Sequence, residues 1–288
     1  MSIAPAVNEW FAQNQRVLPW RADGFPAWGI LVSEIMLQQT PVSRVVPRLQ
    51  QWLERWPNPA SLAAAPAGDA VRAWERLGYP RRALNLHAAA VAITRDHGGI
   101  VPSDVVALLT LPGIGEYTAR AVAAFAYGIR VPVVDTNVRR VLARAIDGRG
   151  EAGPASTKRD LAAMTEQLPT DAASARTFNA AVMELGAVIC TARRPECGSC
   201  PISSECAWRM AGYPEYDGPR RPVQKKYEGS DRQVRGVILA ALRSDDGPVQ
   251  AATVAGLWPD AVQRGRALDG LLIDGLVVGS PETGYALP

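Results

Sequence analysis

Apolar residues recur at three- and four-residue spacing along most of the first 210 residues, which is the pattern of helices that bury one face. The clearest such runs are Val42–Trp56, Ala70–Leu77, Ala83–Ile93 and Asp160–Leu168. Proline and glycine separate the runs, and few stretches alternate between apolar and polar residues as strands do. The pattern predicts an all-α core of about ten short helices.

The pattern changes beyond residue 212. Residues 213–228 are rich in proline and charge and predict a linker. Residues 229–288 predict a small α+β module, with helical stripes at Val234–Leu242, Ala251–Leu257 and Leu268–Leu276 and a closing β-hairpin after them. Three helices closed by a hairpin resemble a winged helix. Many winged helices bind nucleic acid, and many others bind only proteins.

The composition narrows the class of protein. A chain of 288 residues has room for about two domains, and 48% hydrophobic with 20% charged residues is ordinary for a folded protein. No run approaches the roughly 18 apolar residues of a membrane span, and the first residues lack the pattern of a signal peptide. The net charge of +3 leans weakly toward polyanionic partners. We therefore expect a cytoplasmic protein without a membrane partner. If the protein is bacterial, we expect it to be associated with the nucleoid.

All four cysteines fall within one short segment, as Cys190-x6-Cys197-x2-Cys200-x5-Cys206. Clustered thiols favour a metal centre over a disulfide framework, which spreads its cysteines through the fold. Zinc ribbons present two C-x2-C pairs, whereas four thiolates at less symmetric spacing hold iron–sulfur clusters. The spacing favours an iron–sulfur cluster and leaves zinc as the alternative. The same loop carries Arg193 and Arg194, which are suited to phosphate contacts.

A glycine-containing turn, Leu111–Ala119, lies between two helical segments. Gly113 and Gly115 permit a tight turn and the close approach of another backbone. Amides at the start of the next helix point outward at the positive end of its dipole, where they bind phosphate. This segment predicts a sequence-independent contact with a nucleic acid backbone.

Two carboxylates stand out by their surroundings. Glu34 lies in a segment, Trp28–Thr40, that is apolar around most of a helix, so burial is expected to raise its pKa and make it a general acid. A buried salt bridge would explain it equally well. Asp135 begins a helix as an N-cap, where amides are expected to lower its pKa and keep it ionised. A protonated acid and an ionised partner are the pair that glycoside cleavage needs.

Five motifs together resemble one family: S-E-x-M-L-Q-Q-T at 33–40, L-G-Y at 77–79, L-P-G-I-G-x-Y-T-A at 111–119, V-D-x-N-V-x-R-V at 134–141, and the cysteine loop. Their order is similar to that of the MutY-type adenine DNA glycosylases of the endonuclease III superfamily. The likeness covers about residues 5–210 and implies a two-lobed helix-hairpin-helix core at 1–212. Its helical barrel lobe would span about 22–129, and its cluster lobe 1–21 with 130–212.

The resemblance implies roles for individual residues in a monomeric enzyme acting on double-stranded DNA that contains an adenine mispair. Glu34 would protonate the flipped adenine at N7, and Asp135 would stabilise the sugar cation or form a transient adduct. Tyr117 and Asn137 would organise the site. A [4Fe–4S] cluster would bind the thiolates of Cys190, Cys197, Cys200 and Cys206.

Further positions of the resemblance concern the DNA. Gln38 would enter the duplex near the partner base, and Tyr79 would act as an aromatic wedge. Gln39 and Thr40, next to Gln38, are further candidates for binding DNA. The adenine pocket would include Arg21 and Glu184. Relatives that cut the strand through a Schiff base carry lysine where this chain has Tyr117, so we expect hydrolytic base removal without efficient strand scission.

The sequence also departs from the family. Thr136 stands where glycine is usual, Pro80 replaces a second aromatic, and a winged-helix-like module takes the place of the usual Nudix-like domain that helps recognise 8-oxoguanine. Two alternatives stay open: a thymine or uracil mismatch glycosylase of the same superfamily, and a non-catalytic lesion-binding or regulatory protein.

Overall fold

The structure, a computed structural model, describes residues 2–219 and 226–288, so the predicted linker positions 220–225 lie outside the described residues. Helices of the first range are α1 (Ala4–Asn14), α2 (Ala27–Leu37), α3 (Val42–Arg55), α4 (Pro59–Ala63), α5 (Ala67–Trp74), α6 (Arg81–Asp96), α7 (Val105–Leu109), α8 (Glu116–Tyr127), α9 (Thr136–Ala145), α10 (Thr157–Gln167), α11 (Ala172–Val188) and α12 (Ala207–Met210). The second range holds α13 (Asp231–Arg243), α14 (Ala251–Gly256), α15 (Ala261–Ile273), β1 (Val278–Ser280) and β2 (Gly284–Ala286). The predicted mostly helical fold with a small C-terminal α+β module is confirmed.

Short polar side chains fix where several helices begin. Asp135, Asp171 and Asp260 each accept a hydrogen bond from the backbone N–H three residues on, at 2.7, 2.8 and 2.9 Å. Such an N-cap satisfies an amide that the helix itself leaves unpaired. Within the described ranges, no helix combines the length and apolarity of a membrane-spanning segment.

One compact unit comprises the described residues of 1–30, 103–109 and 114–221. In it α1 and α9 both pack against α11, and residues of the three helices share one core. Val7, Val138 and Phe178 are fully buried in this core. Residues 22–129 are predicted from the sequence to form a separate lobe, whereas α8 is grouped here with the cysteine-bearing segment.

The other compact unit comprises the described residues of 31–102, 110–113 and 222–288. Three tryptophans form the centre of its helical part, with the Trp52 ring 4.6 Å from Trp56 and 5.6 Å from Trp74, both edge to face. Such contacts add stabilisation beyond the burial of area. Residues 229–288 are predicted from the sequence to form a distinct module, and the structure groups them with 31–102.

The C-terminal module has the order of a winged helix. Its strands pair antiparallel, with Gly279 opposite Tyr285, and Val249 between α13 and α14 adds a bridge to Tyr285. The module contacts α5 directly: Arg243 Nε donates to Val71 O at 3.1 Å, and Gly68 N donates to Pro288 O at 2.5 Å. A Cβ at position 68 would lie 2.3 Å from that oxygen, so the contact needs glycine.

Candidate functional site

Glu34 lies on α2 and is 4% exposed. Its helix neighbours Leu31, Val32, Ile35 and Met36 are also buried, which confirms the predicted apolar helix. A carboxyl group among apolar neighbours is a candidate proton donor, which is the role that the sequence predicts for Glu34.

Asp135 is held at the start of α9 by both of its carboxylate oxygens. Oδ1 accepts from Val138 N at 2.7 Å, and Oδ2 accepts from Asn137 Nδ2 at 2.8 Å. Burial raises the pKa of Asp135, and the Val138 amide, the Asn137 side chain and the Arg140 charge lower it only in part. The expectation that the helix amides set a lowered pKa is therefore wrong in its net direction, because burial outweighs them.

A chain of hydrogen bonds runs from Asp135 to the cysteine loop. Asn137 Oδ1 accepts from Arg140 Nη2 at 2.8 Å, and Arg140 Nε donates to Cys190 O at 2.7 Å. Gly186 permits the close approach of α11, since a Cβ there would lie 2.7 Å from the Asn137 Cβ. Sequence reasoning missed Arg140; the available signal was a basic residue on the same face as Asn137, three residues later.

Tyr117 lies in the first turn of α8, half-buried against the apolar cluster of Ala121, Ala124 and Val133. Before it, Gly113 has φ +74°, and a Cβ would meet the Asn85 side chain at 2.5 Å. Gly115 caps α8 and has open space where a Cβ would stand. The turn can therefore accept the close approach of a phosphate at Gly115, as the motif predicts.

The predicted DNA-inserting residues occupy two short loops that touch. Gln38 is half-buried, Gln39 is exposed, and Thr40 is 6% exposed with its hydroxyl donating to Leu77 O at 3.1 Å. Tyr79 follows that carbonyl by two residues, and 47% of it is exposed. The structure thus brings Gln38, Gln39 and Tyr79 to one surface, while the Thr40 side chain points into the protein.

Glu184 is engaged by two arginines. Its carboxylate accepts from Arg16 Nε and Nη2, both at 2.7 Å, and from Arg21 Nη2 at 2.9 Å, and its side chain is 1% exposed. Burial raises the pKa of Glu184, but the hydrogen bonds from Arg16 and Arg21 and the charge of Arg21 together outweigh it and lower the pKa to about 2. Sequence reasoning named Arg21 and missed Arg16.

Glu184→Gln should reduce the free energy of unfolding by about 1–3 kcal/mol at neutral pH, after allowance for the exposed Arg16. A folded-state pKa below the unfolded one contributes stability above the unfolded pKa, and that stability disappears as pH falls toward about 2. Urea unfolding at about pH 7 and about pH 3 should therefore show a smaller difference from wild type at the lower pH.

The matched control is Glu116→Gln, which removes an exposed i,i+4 pair with Arg120 and should cost less than about 1 kcal/mol. An equal loss for Glu184→Gln at both pH values would show that packing, not the ion pair, accounts for it.

The four cysteines line one cavity together with apolar side chains of α9 and α11 and with Arg144. Burial raises the pKa of the Cys190 thiol and raises that of Cys200 to about 11. Buried thiols become thiolates when a cationic metal compensates their charge. Four thiols around one cavity are the donor set of an iron–sulfur cluster, so the residues fit that group.

Arg144 holds this segment in place and was also missed by sequence reasoning. Its guanidinium donates to Thr191 O at 2.7 Å and to Ala192 O at 3.1 Å, and lies 3.4 Å from Cys190 Sγ. The arginine is 4% exposed and sits over the Trp208 ring. Arg193 and Arg194, by contrast, are exposed as expected for phosphate contacts.

Comparison with known proteins identifies the class. Residues 32–167 match the model of the HhH-GPD superfamily of base excision DNA repair proteins, and residues 190–206 match the iron-sulfur binding domain of endonuclease III. A solved thermostable thymine-DNA glycosylase superposes with a TM-score of 0.65 at 26% identity, covering 72% of this chain and 95% of its own. The fold and the cysteine loop are those of a DNA glycosylase of base excision repair with a [4Fe–4S] cluster, and the iron–sulfur prediction is confirmed over zinc.

Two curated relatives define the family more closely. The adenine DNA glycosylase of Mycolicibacterium smegmatis is 55% identical over 289 residues, covering 100% of this chain and 97% of the relative. That of Mycobacterium tuberculosis H37Rv is 53% identical over 280 residues, covering 97% of this chain and 91% of the relative. The chain belongs to the adenine DNA glycosylase family. The likeness extends through the C-terminal module.

Proposed function

We propose that this protein excises adenine paired with 8-oxoguanine or guanine in double-stranded DNA, by hydrolysis of the N-glycosidic bond. The likeness to adenine DNA glycosylases over nearly the whole chain carries the proposal. The buried acid on α2 and the anchored carboxylate at the start of α9 supply the chemistry. We also propose that the enzyme acts as a cytoplasmic monomer.

In the proposed reaction the adenine leaves the base stack, because its glycosidic bond is inaccessible within the duplex. Glu34 donates a proton to the adenine at N7, and the bond between N9 and C1′ breaks with its electron pair moving to the base. Asp135 then stabilises the cationic sugar, whose positive charge favours the ionised carboxylate. Water adds at C1′ and releases a proton, which balances the one that Glu34 donated. Asn137 orients Asp135 through its 2.8 Å hydrogen bond, and Tyr117 borders the site.

The remaining predicted residues are proposed to bind DNA. Gln38, Gln39 and Tyr79 would fill the space left by the extruded base, with Thr40 supporting them from within. The turn at Gly113 and Gly115 and the exposed Arg193 and Arg194 would contact phosphates. Arg21 and Glu184 would border the adenine pocket, held by their mutual ion pair. When bound, the iron–sulfur cluster supplies folding energy to the loop that carries Arg193 and Arg194.

A thymine mismatch glycosylase is the second candidate, because the thermostable thymine-DNA glycosylase shares this fold. The Gln38-Gln39-Thr40 motif favours an adenine glycosylase over a thymine or uracil mismatch glycosylase. A panel of duplexes carrying A:8-oxoguanine, A:G, T:G or U:G separates the two.

We expect release of adenine from both adenine mispairs and strand breakage only after alkaline treatment, since Tyr117 cannot form a Schiff base. Base release from T:G or U:G alone would establish the second candidate. Binding to mispairs without release of any base would establish a lesion-binding protein instead.

A further inference from the structure

Two loops that carry proposed DNA-inserting residues have unusual backbones. Gln39 has φ +56° and Tyr79 has φ +47°, and Gly78 before it has φ +86°. Non-glycine residues in the left-handed region are uncommon and persist where their surroundings hold them. Contacts with neighbouring side chains must therefore hold both loops in these conformations.

The guanidinium of Arg82, near the start of α6, contacts both loops at once. Nη1 donates to the carbonyls at the end of α2 and beyond it, those of Ile35, Met36 and Gln38, at 2.8, 3.0 and 2.6 Å. Nη2 donates to Thr40 Oγ1 at 3.0 Å and to Gly78 O at 2.9 Å. A single guanidinium thus binds both the Gln38–Thr40 loop that follows α2 and the Gly78–Tyr79 loop.

The surroundings of Arg82 explain why it is fixed in this position. The residue is 8% exposed, and the partners named above are carbonyl and hydroxyl oxygens. Its guanidinium lies over the Trp74 ring at 5.2 Å and the Tyr79 ring at 5.5 Å. A cation at the carboxyl end of α2 also complements the helix dipole. Burial lowers the pKa of Arg82 to about 10, which leaves it charged at neutral pH.

We propose that Arg82 is a positioning residue that locks the Gln38–Thr40 and Gly78–Tyr79 loops into the one arrangement able to enter the duplex at a mispair. The proposal rests on the proposed function, because that function places these loops at the DNA. Arg82 acts through the loops and needs no contact with DNA itself. A lysine cannot replace it, because a single ammonium lacks the planar set of donors that spans both loops.

The test compares Arg82→Lys and Arg82→Met with Arg95→Met, which removes an exposed arginine of the same helix α6 that pairs with Asp96. Affinity is measured for mispaired and fully matched duplexes, and 2-aminopurine beside the mispair reports local opening of the DNA. Melting curves establish that each variant is folded. Arg82→Lys keeps the buried charge, so it provides the reading if Arg82→Met does not fold.

We expect Arg82→Lys to lower the preference for mispaired over matched duplex by about tenfold or more, since several hydrogen bonds to a charged group are lost. The 2-aminopurine signal should fall with it, while affinity for matched duplex changes little. Thr40→Val, which removes one acceptor of Arg82, should act in the same direction with a smaller effect. Arg95→Met should match wild type in all readouts.

An equal loss of affinity for both duplexes, or an unchanged preference in folded Arg82→Lys, overturns the proposal. The mispair used is the one that the wild-type protein binds best. A wild-type protein that binds a mispair but releases no adenine contradicts the proposed function and leaves the Arg82 comparison interpretable.

Discussion

Glu34→Gln and Asp135→Asn should each slow base release by about 10²–10⁴-fold in single-turnover assays with saturating mispaired duplex. Each variant keeps the size of the side chain and removes its ability to exchange a proton or carry a negative charge. Asn is nearly as good an N-cap as Asp, so α9 should remain intact. Affinity for the duplex should therefore stay within a few-fold of wild type, and the loss should appear in the chemical step.

Asp171→Asn is the matched control for the carboxylate at position 135. Asp171 caps α11 with the same geometry, accepting from Ser174 N at 2.8 Å, but it is exposed. Its replacement should leave the rate of base release unchanged. Retained turnover in both Glu34→Gln and Asp135→Asn would exclude the proposed mechanism.

Cys200→Ala should abolish the visible absorbance of the purified protein and lower its melting temperature by roughly 10 °C. The reason lies in the composition of the segment from 190 to 206, in which Ile202 is the buried apolar residue. A segment with so little core depends on metal ligation for its conformation. Absorbance and thermal unfolding measure these two consequences, and iron analysis measures the loss of the metal.

Ser199→Ala, in the same segment, is the control, because its hydroxyl donates to the nearby Glu196 O at 3.1 Å and supplies no thiolate. This variant should keep its iron, its colour and its melting temperature. A colourless wild-type protein containing stoichiometric zinc would contradict the assignment of the cluster.

Local patterns were sufficient to predict the helices, the closing hairpin and the burial of Glu34, because each depends on residues near in sequence. The cap at Asp135 was predicted for the same reason. Its net pKa direction was not predicted, because the local sequence does not reveal the burial that outweighs the amides. The hydrogen bond that turns the Thr40 side chain inward was not predicted either, since its acceptor is the carbonyl of Leu77, 37 residues away.

Three arginines escaped sequence reasoning for a common physical reason. Arg82, Arg140 and Arg144 donate mainly to backbone carbonyls. Every residue carries a carbonyl, so no side-chain motif marks the acceptor, and only the folded arrangement selects which ones a guanidinium meets. Acidic partners are easier to anticipate, yet Arg16 was missed even with Glu184 already singled out.

The shared guanidinium of Arg82 also limits how this fold can change during evolution. A residue inserted into either 38–40 or 77–79 would shift the carbonyls out of reach of a single planar group, so the two loops must keep their lengths together. Insertions should instead accumulate at bends that are not linked through a shared side chain. Gly98-Gly99 is such a bend, and a Cβ at either glycine would meet open space. Length variation among homologous chains should therefore be rare at 38–40 and 77–79 and concentrate at Gly98-Gly99.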